Sequence, residues 1–250
     1  MKTGFDDLDS IMQMNKGDLI VVASRPAMGK STLVLNILSN VAIKEKKAVL
    51  LFNLESSKEN IINKLIISNS MVEVDKFEIY DKYQKGKIIK PELTDDDWNR
   101  IAYGLNILKD APIFIGTNTP YTINDICKRS RELKPKENIE LIIIDYLQLI
   151  QFDKSKALSR DNETREILKE LKILAKELNI PIIITSQLSR KTEEKNDKRP
   201  IITDFSNTSS SILTYSNKIL FLYRDSYYNE SNKSNITDVI VAKNDKGEIR

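Results

Sequence analysis

Histidine is absent from the 250 residues, and cysteine occurs once. The first absence excludes an imidazole general base, a Ser-His or Cys-His relay and any histidine-ligated metal. The second excludes a disulfide scaffold and a cysteine-based zinc cluster. Glycine and proline are scarce, at seven each, while Lys, Asn and Ile are abundant; this looks like AT-biased coding and says nothing about function. No apolar run approaches the roughly 18 residues of a membrane helix, and no charged-then-apolar leader opens the chain. The expectation is a cytoplasmic protein with no membrane partner. Its chemistry is left to carboxylates, Lys, Arg, amides, hydroxyls and the backbone.

A chain of this length fits one large α/β domain, or at most two small ones. Hydrophobic residues make up 40% and charged residues 30%, enough for a sizeable core. The 39 basic residues against 36 acidic give +3, a balance that permits local nucleic-acid-binding patches without arguing for them.

Short, nearly continuous apolar runs recur at Asp18–Ser24, Ala48–Leu54, Pro112–Gly116, Glu140–Asp145 and Pro181–Ser186. Such runs read as strands buried on both faces, the mark of a parallel sheet. Lys218–Tyr223 and Thr237–Ala242 add two later strands. Between them, Ile167, Leu171, Leu174, Ala175 and Leu178 share one helical face. Ser56-Ser-Lys-Glu59 and Thr94-Asp-Asp-Asp97 have the form of capping boxes. The predicted fold is α/β, a mostly parallel doubly wound sheet with added C-terminal strands. Residues 151–162 and 188–211 read as exposed loops carrying Lys154, Lys156, Arg160, Arg190, Lys191, Lys195, Lys198 and Arg199. Both follow strand ends at the edge where α/β proteins bind ligands; solvated loops that are basic by chance are the plain alternative.

The sharpest motif is Ser24-Arg-Pro-Ala-Met-Gly-Lys-Ser31, set between a strand and a helix. It has the Gly-Lys-Ser of a P-loop, with Ser24 where the pattern has Gly. Gly29 lets the backbone approach phosphate, and N–H groups at a helix start form an anion nest. Lys30 would reach the β- and γ-phosphates, and the Ser31 hydroxyl would ligate Mg²⁺. The nucleotide-binding candidates are therefore Ser24, Arg25, Pro26, Ala27, Met28, Gly29, Lys30, Ser31 and Thr32. Asp145 ends four aliphatics as a Walker B acid for the metal shell, because a buried carboxylate must be paired or bind metal. Glu55 ends Phe52-Asn-Leu-Glu55 in the same way and is the candidate to polarise an attacking water. Gln187 is placed to hydrogen-bond a γ-phosphate. A strand-end cap for Asp145, a first-turn helix acid for Glu55 and a solvent-facing amide for Gln187 are the structural alternatives.

These residues sit in a longer ordered set. Thr3-Gly-Phe-Asp-Asp-Leu-Asp9, the P-loop, Leu54-Glu55, Asp145-Tyr-Leu-Gln-Leu149, Leu174-Ala-Lys-Glu-Leu178, Ser186-Gln-Leu-Ser-Arg190, Asp197-Lys-Arg-Pro200 and Tyr223-Arg-Asp225 follow in sequence. Together they resemble the C-terminal RecA-like ATPase domain of DnaB-type replicative helicases, over nearly the whole chain. The resemblance implies ATP and Mg²⁺ as cofactors, a hexameric ring, translocation on single-stranded DNA, and a primase or helicase loader as partner. It implies that Lys30, Glu55 and Gln187 are catalytic, that Ser31 and Asp145 hold the metal, and that Lys243 reaches a neighbouring subunit's nucleotide. It further implies DNA contacts from the two loops and from Ser206, Asn207 and Ser209. Residues 1–250 read as the single ATPase domain, without the family's N-terminal domain and linker helix, so this chain alone is expected to be mostly monomeric.

Two stretches depart from the family pattern. Phe205-Ser-Asn-Thr-Ser209 stands where the family has Leu-Arg-Glu-Ser-Gly, and Ile212-Leu-Thr-Tyr-Ser-Asn217 where it has Ile-Glu-Gln-Asp-Ala-Asp. Asp245 stands at the position of the trans arginine finger, a group worth about 10³–10⁵ in rate where it has been dissected. These departures define a second reading, a nucleotide-binding interaction module with weak or no unwinding. A third is a RecA-like ATPase of recombination or regulation.

Overall fold

A computed structural model describes residues 1–73, 76, 82–84, 87–89, 93–116, 121–152, 159–229, 231–232 and 234–249, with backbone alone for 82–84, 87–89, 206 and 207. Lys154 and Lys156 lie outside the described residues. Contacts divide the chain into two compact units, residues 1–55 with 113–250, and residues 56–112.

The larger unit is built on a seven-stranded sheet. Its strands are β1 (Leu19–Ser24), β2 (Ala48–Asn53), β5 (Ile113–Gly116), β6 (Ile139–Asp145), β7 (Ile182–Gln187), β8 (Lys218–Tyr223) and β9 (Asp238–Asn244). The order is β5-β2-β6-β7-β1-β8-β9. Every pairing is parallel except β8 with β9. This is the mixed α/β sheet that the apolar runs predict. Strands β1, β2 and β8 are buried at every position, which is why they lack the polar alternation of a one-sided sheet. Helix α1 (Asp6–Ile11) precedes β1, and crossover helices α2 (Lys30–Ser39), α5 (Ile123–Glu137) and α6 (Arg160–Leu178) serve this sheet. The predicted face of α6 is realised, with Ile167, Leu171, Leu174 and Ala175 fully buried in the main core.

The smaller unit holds α3 (Lys58–Ser70), a two-stranded antiparallel hairpin of β3 (Lys82–Gln84) and β4 (Lys87–Ile89), and α4 (Asp95–Lys109). A cluster of Ile66, Val72 and Ile101 forms its core. A Cβ on Gly104 would lie 3.1 Å from the Ser70 backbone nitrogen, so glycine sets the approach of these two helices. The Thr94–Asp97 capping box is present as expected. Backbone and hydroxyl bonds from Thr94 and the Lys76 ammonium pull the Asp97 pKa down to about 2. The Ser56–Glu59 box is not formed: Ser57 is the cap, accepting from the Asn60 N–H at 3.2 Å, and the helix starts one residue later than the motif suggests.

Neither basic segment is a simple loop. Arg160 opens α6 behind a Ser159 cap. Residues 188–211 contain two 3₁₀ turns, Arg190–Glu194 and Ile202–Thr208, and the start of α7 (Ser209–Tyr215). Leu188, Thr192 and Phe205 are buried there and anchor the segment to the core. The sequence hides this because its apolar anchors are isolated among polar residues and show no period.

Candidate nucleotide site

Four parallel strands end side by side. The register pairs Ser24 with Gln187 and Asn53 with Asp145, so the carboxyl ends of β2, β6, β7 and β1 form one continuous edge. From β1 the chain turns through the Gly-Lys-Ser loop into α2. Ala27 (φ +63°) and Gly29 (φ +92°) both take left-handed backbone conformations. A Cβ on Gly29 would meet nothing within 4 Å, so its requirement is conformational rather than steric. Gly29 is the N-cap of α2 and makes no side-chain cap, and the first turn carries no acid. The positive end of the helix therefore opens toward the edge without a resident carboxylate of its own.

Lys30 turns back over this loop. Its ammonium donates to the Ser24 carbonyl (3.3 Å), the Ser24 hydroxyl (3.2 Å) and the Arg25 carbonyl (3.3 Å). Burial lowers its pKa, and the nearby Asp145 and Glu55 carboxylates oppose that shift. Among the described residues, Lys30 forms no ion pair. Asp145 is 3% exposed and accepts from the Thr185 hydroxyl on the neighbouring strand. Glu55 is exposed, and its N–H donates to the Asn53 amide oxygen at 3.2 Å. Tyr146 follows Asp145, and its phenol pKa is raised by burial and then by Glu55 and Asp145.

Pro26, Ala27, Gly29, Lys30, Ser31, Thr32, Glu55, Asp145, Tyr146 and Gln187 enclose a cavity of about 330 Å³. Segments far apart in the chain thus meet at one cation, one helix start and two carboxylates. That combination suits a polyphosphate with a divalent metal: anion donors on one wall, metal-ligating oxygens on another. A second cavity, about 890 Å³ and mainly apolar, shares Gly29 and Thr32 with the first and extends along Phe5, Met28, Leu222 and Arg224.

Several expected residues stand elsewhere. Ser24 is fully buried beneath the loop, donating to the Arg25 carbonyl at 2.7 Å. Arg25 faces away, donating to Glu193 (2.9 Å) and to the Leu188 carbonyl (2.8 Å), so its guanidinium braces the loop. Met28 lines the larger cavity instead. Lys243 lies at the opposite sheet edge, because β9 runs antiparallel and pairs Lys243 with Ile219 near the start of β8. There its ammonium donates to the carbonyls of Leu213 (2.8 Å) and Ser216 (2.6 Å). It does not touch its own chain's cavity.

The candidate DNA cations are unequally available. Arg160 is held by Glu163 (2.8 Å) and the Gln148 carbonyl (2.7 Å). Lys195 pairs with Asp204 at 2.8 Å. Arg199 pairs with Asp238 at 2.6 Å and lies 4.8 Å over the Tyr223 ring. Arg190 and Lys191 are exposed. Ser206 and Asn207 fall in the second 3₁₀ turn and Ser209 begins α7.

Sequence reasoning missed Thr185, Asn53, Tyr146 and Gln148. A polar residue at the end of an apolar run marked the first two. Gln148 stands in the quoted Asp145-Tyr-Leu-Gln-Leu149 stretch, but nothing local gave it a role; it grips the backbone of Gln187.

Comparison with known proteins shows what the whole chain resembles. The family described as "DnaB-like helicase C terminal domain" matches residues 1–250. The replicative DNA helicase DnaB of Geobacillus stearothermophilus is 36% identical over 249 residues, covering 99% of this chain and 52% of that protein. The replicative DNA helicase DnaC of Bacillus subtilis (strain 168) is 34% identical with the same coverage. The chain spans about half the length of these curated relatives. Among solved structures, one described as an ATPase domain superposes with a TM-score of 0.88 at 30% identity, covering 100% of this chain and 85% of that one. A DnaB-like replicative helicase, solved in a study of its interactions with primase, gives the same score and identity and is covered over 57% of its length.

Proposed function

From the DnaB-like helicase C-terminal domain family, to which this chain belongs, we propose a motor domain that hydrolyses ATP and uses the energy to move along single-stranded DNA within a hexameric ring. The observation that supports hydrolysis best is the convergence of Lys30, Ser31, Glu55, Asp145 and Gln187 on one cavity. In this reading the Lys30 ammonium and the N–H groups at the start of α2 hold the β- and γ-phosphates. Ser31 and Asp145 would hold Mg²⁺, which when bound neutralises charge on the phosphate oxygens. Glu55 takes a proton from the attacking water as its oxygen bonds to the γ-phosphorus. The bond from that phosphorus to the β–γ bridging oxygen breaks, leaving ADP and inorganic phosphate. Gln187 donates its amide to the γ-phosphate and orients it. The larger cavity beside Gly29 and Thr32 takes the nucleoside.

Lys243 belongs to a different part of this reading. Its place on the far sheet edge suits contact with a neighbouring subunit's nucleotide, not its own. Single-stranded DNA is the track, with phosphate contacts drawn from the basic segments that follow β6 and β7. A primase is the proposed protein partner, by likeness to the relative studied with one. The test is steady-state MgATP turnover with and without single-stranded DNA, for the parent and Asp145→Asn. The parent should turn over and be stimulated by DNA, and the variant should lose at least about 100-fold of its Mg²⁺-dependent rate. Equal rates in the two proteins would sink the site assignment.

A further inference from the structure

Gln187 is the last residue of β7, and its backbone is gripped from the side. The Gln148 side chain accepts from the Gln187 N–H at 3.2 Å and donates to the Gln187 carbonyl at 3.1 Å. The same amide nitrogen donates to the Ser186 hydroxyl at 3.0 Å. One carboxamide thus satisfies both peptide groups of Gln187, as a neighbouring strand would, just where the β6–β7 ladder has ended at Ile144 and Ile184. Gln148 sits in the 3₁₀ turn Leu147–Leu149, three residues past Asp145. That turn is itself pinned, since the Gln148 carbonyl accepts from Arg160 at 2.7 Å and Arg160 is held by Glu163.

We propose that Gln148 is a positioning residue: its two-point grip on the Gln187 backbone fixes where the Gln187 side chain enters the phosphate cavity. Gln148 itself does not line that cavity, so it acts through Gln187. On its β1 side the strand end stays paired, through the Ser24–Gln187 register and the Leu188 N–H donating to the Ser24 carbonyl at 3.0 Å. On the β6 side the two bonds from Gln148 take the place of the ladder, and losing them would let the Gln187 peptide groups tilt. A displacement of about 1 Å at a group that orients a reacting phosphate costs up to about 100-fold in rate. The role in turnover rests on the hydrolysis reading above; the grip itself does not.

The experiment is a double-mutant cycle, Gln148→Ala, Gln187→Ala and both together, read by MgATP turnover and by hydrogen exchange at individual amides in the nucleotide-free chain. Gln148→Ala should lower kcat by about 10- to 100-fold and leave KM within about twofold. The double variant should be no slower than Gln187→Ala alone, because both act along one route. Exchange at the Gln187 amide should speed by about tenfold or more while Ile184, inside the ladder, stays protected. Gln148→Glu keeps an acceptor for the Gln187 N–H and should restore its protection in part. Effects that multiply in the double variant, or an unchanged Gln187 amide, would overturn the proposal. A parent that does not turn over MgATP refutes the hydrolysis reading, and the kinetic role of Gln148 with it. The exchange measurement judges the grip independently.

Discussion

The two edges of the seven-stranded sheet carry charge in opposite ways. At the carboxyl edge, Lys30, Glu55 and Asp145 converge on open space, and Lys30 rests on carbonyls and a hydroxyl. At the amino edge the charges satisfy one another. Lys218, 1% exposed, pairs with Asp18, which also accepts from the Asn15 N–H at 2.9 Å. Asn217 accepts from Lys172 (2.6 Å) and from the Leu19 N–H (2.9 Å), and donates to Asp245 at 2.9 Å. Asp245 in turn pairs with Lys243 at 3.3 Å. Both edges hold buried ions. Among the described residues, the first gathers them around a cavity while the second pairs them with one another, and that separates a candidate ligand site from a structural network.

The comparison gives a ranked set of expectations. The largest effect should come at the carboxyl edge and be invisible in stability. Glu55→Gln should keep MgATP bound but slow turnover by about 10²–10⁴-fold, the usual worth of a general base; binding by fluorescence and turnover by phosphate release separate the two. Unchanged turnover would move the proton acceptor elsewhere.

Next is the buried pair of the amino edge. Lys218→Met leaves Asp18 uncompensated in the interior and should cost about 3–5 kcal/mol in denaturant unfolding. Nucleotide affinity per folded molecule should hold. A loss of affinity at constant stability would mean the two edges are not separable in this way.

Lys30→Met should show the reverse pattern. MgATP affinity should fall about 10- to 100-fold, the scale of a charge-assisted hydrogen bond, while stability holds or rises. The pH dependence has a defined sign. Burial lowers the Lys30 pKa from 10.5, so between its native value and 10.5 the unfolded chain binds the extra proton. Stability therefore gains with rising pH across that window. The parent should gain relative to Lys30→Met over that range in parallel unfolding titrations. A relative loss would contradict the burial of this ammonium.

The smallest effect belongs to the outer rim of the amino edge. Lys243 and Asp245 are part exposed, at 26% and 38%, and exposed pairs contribute up to about 1 kcal/mol. Asp245→Asn should stay within that limit in thermal unfolding. A cost of several kcal/mol would extend the buried network to this pair.

The departures noted in the sequence gain meaning from these contacts. Asn217 and Asp245 both differ from the family pattern, and they bond each other. Substitutions far apart in the chain thus meet in one hydrogen bond, which no motif comparison could reveal. Arg25 and Lys243 teach the converse lesson. Motif alone groups both with the nucleotide site, yet one braces residues 188–193 and the other lies across the sheet.

Local physics was legible in the residues themselves. Seven apolar runs became seven strands; the inner ones were clearest because a segment buried on both faces has no polar positions to spare, while β5 and β9, at the ends of the sheet, are only partly buried. Gly29-Lys30-Ser31 marked the turn from strand into helix because a left-handed residue at a helix start is a local requirement. The acid after Leu141-Ile-Ile-Ile144 was informative because burial of an unpaired carboxylate is costly. What the chain could not declare is which strand lies beside which. The order β5-β2-β6-β7-β1-β8-β9 is set by crossover packing among distant segments. That order brings Asp145, Gln187 and Lys30 to one cavity, turns Lys243 to the far edge and lets Gln148 reach Gln187. These are contacts between segments dozens of residues apart, and their energy exists only once the sheet has assembled.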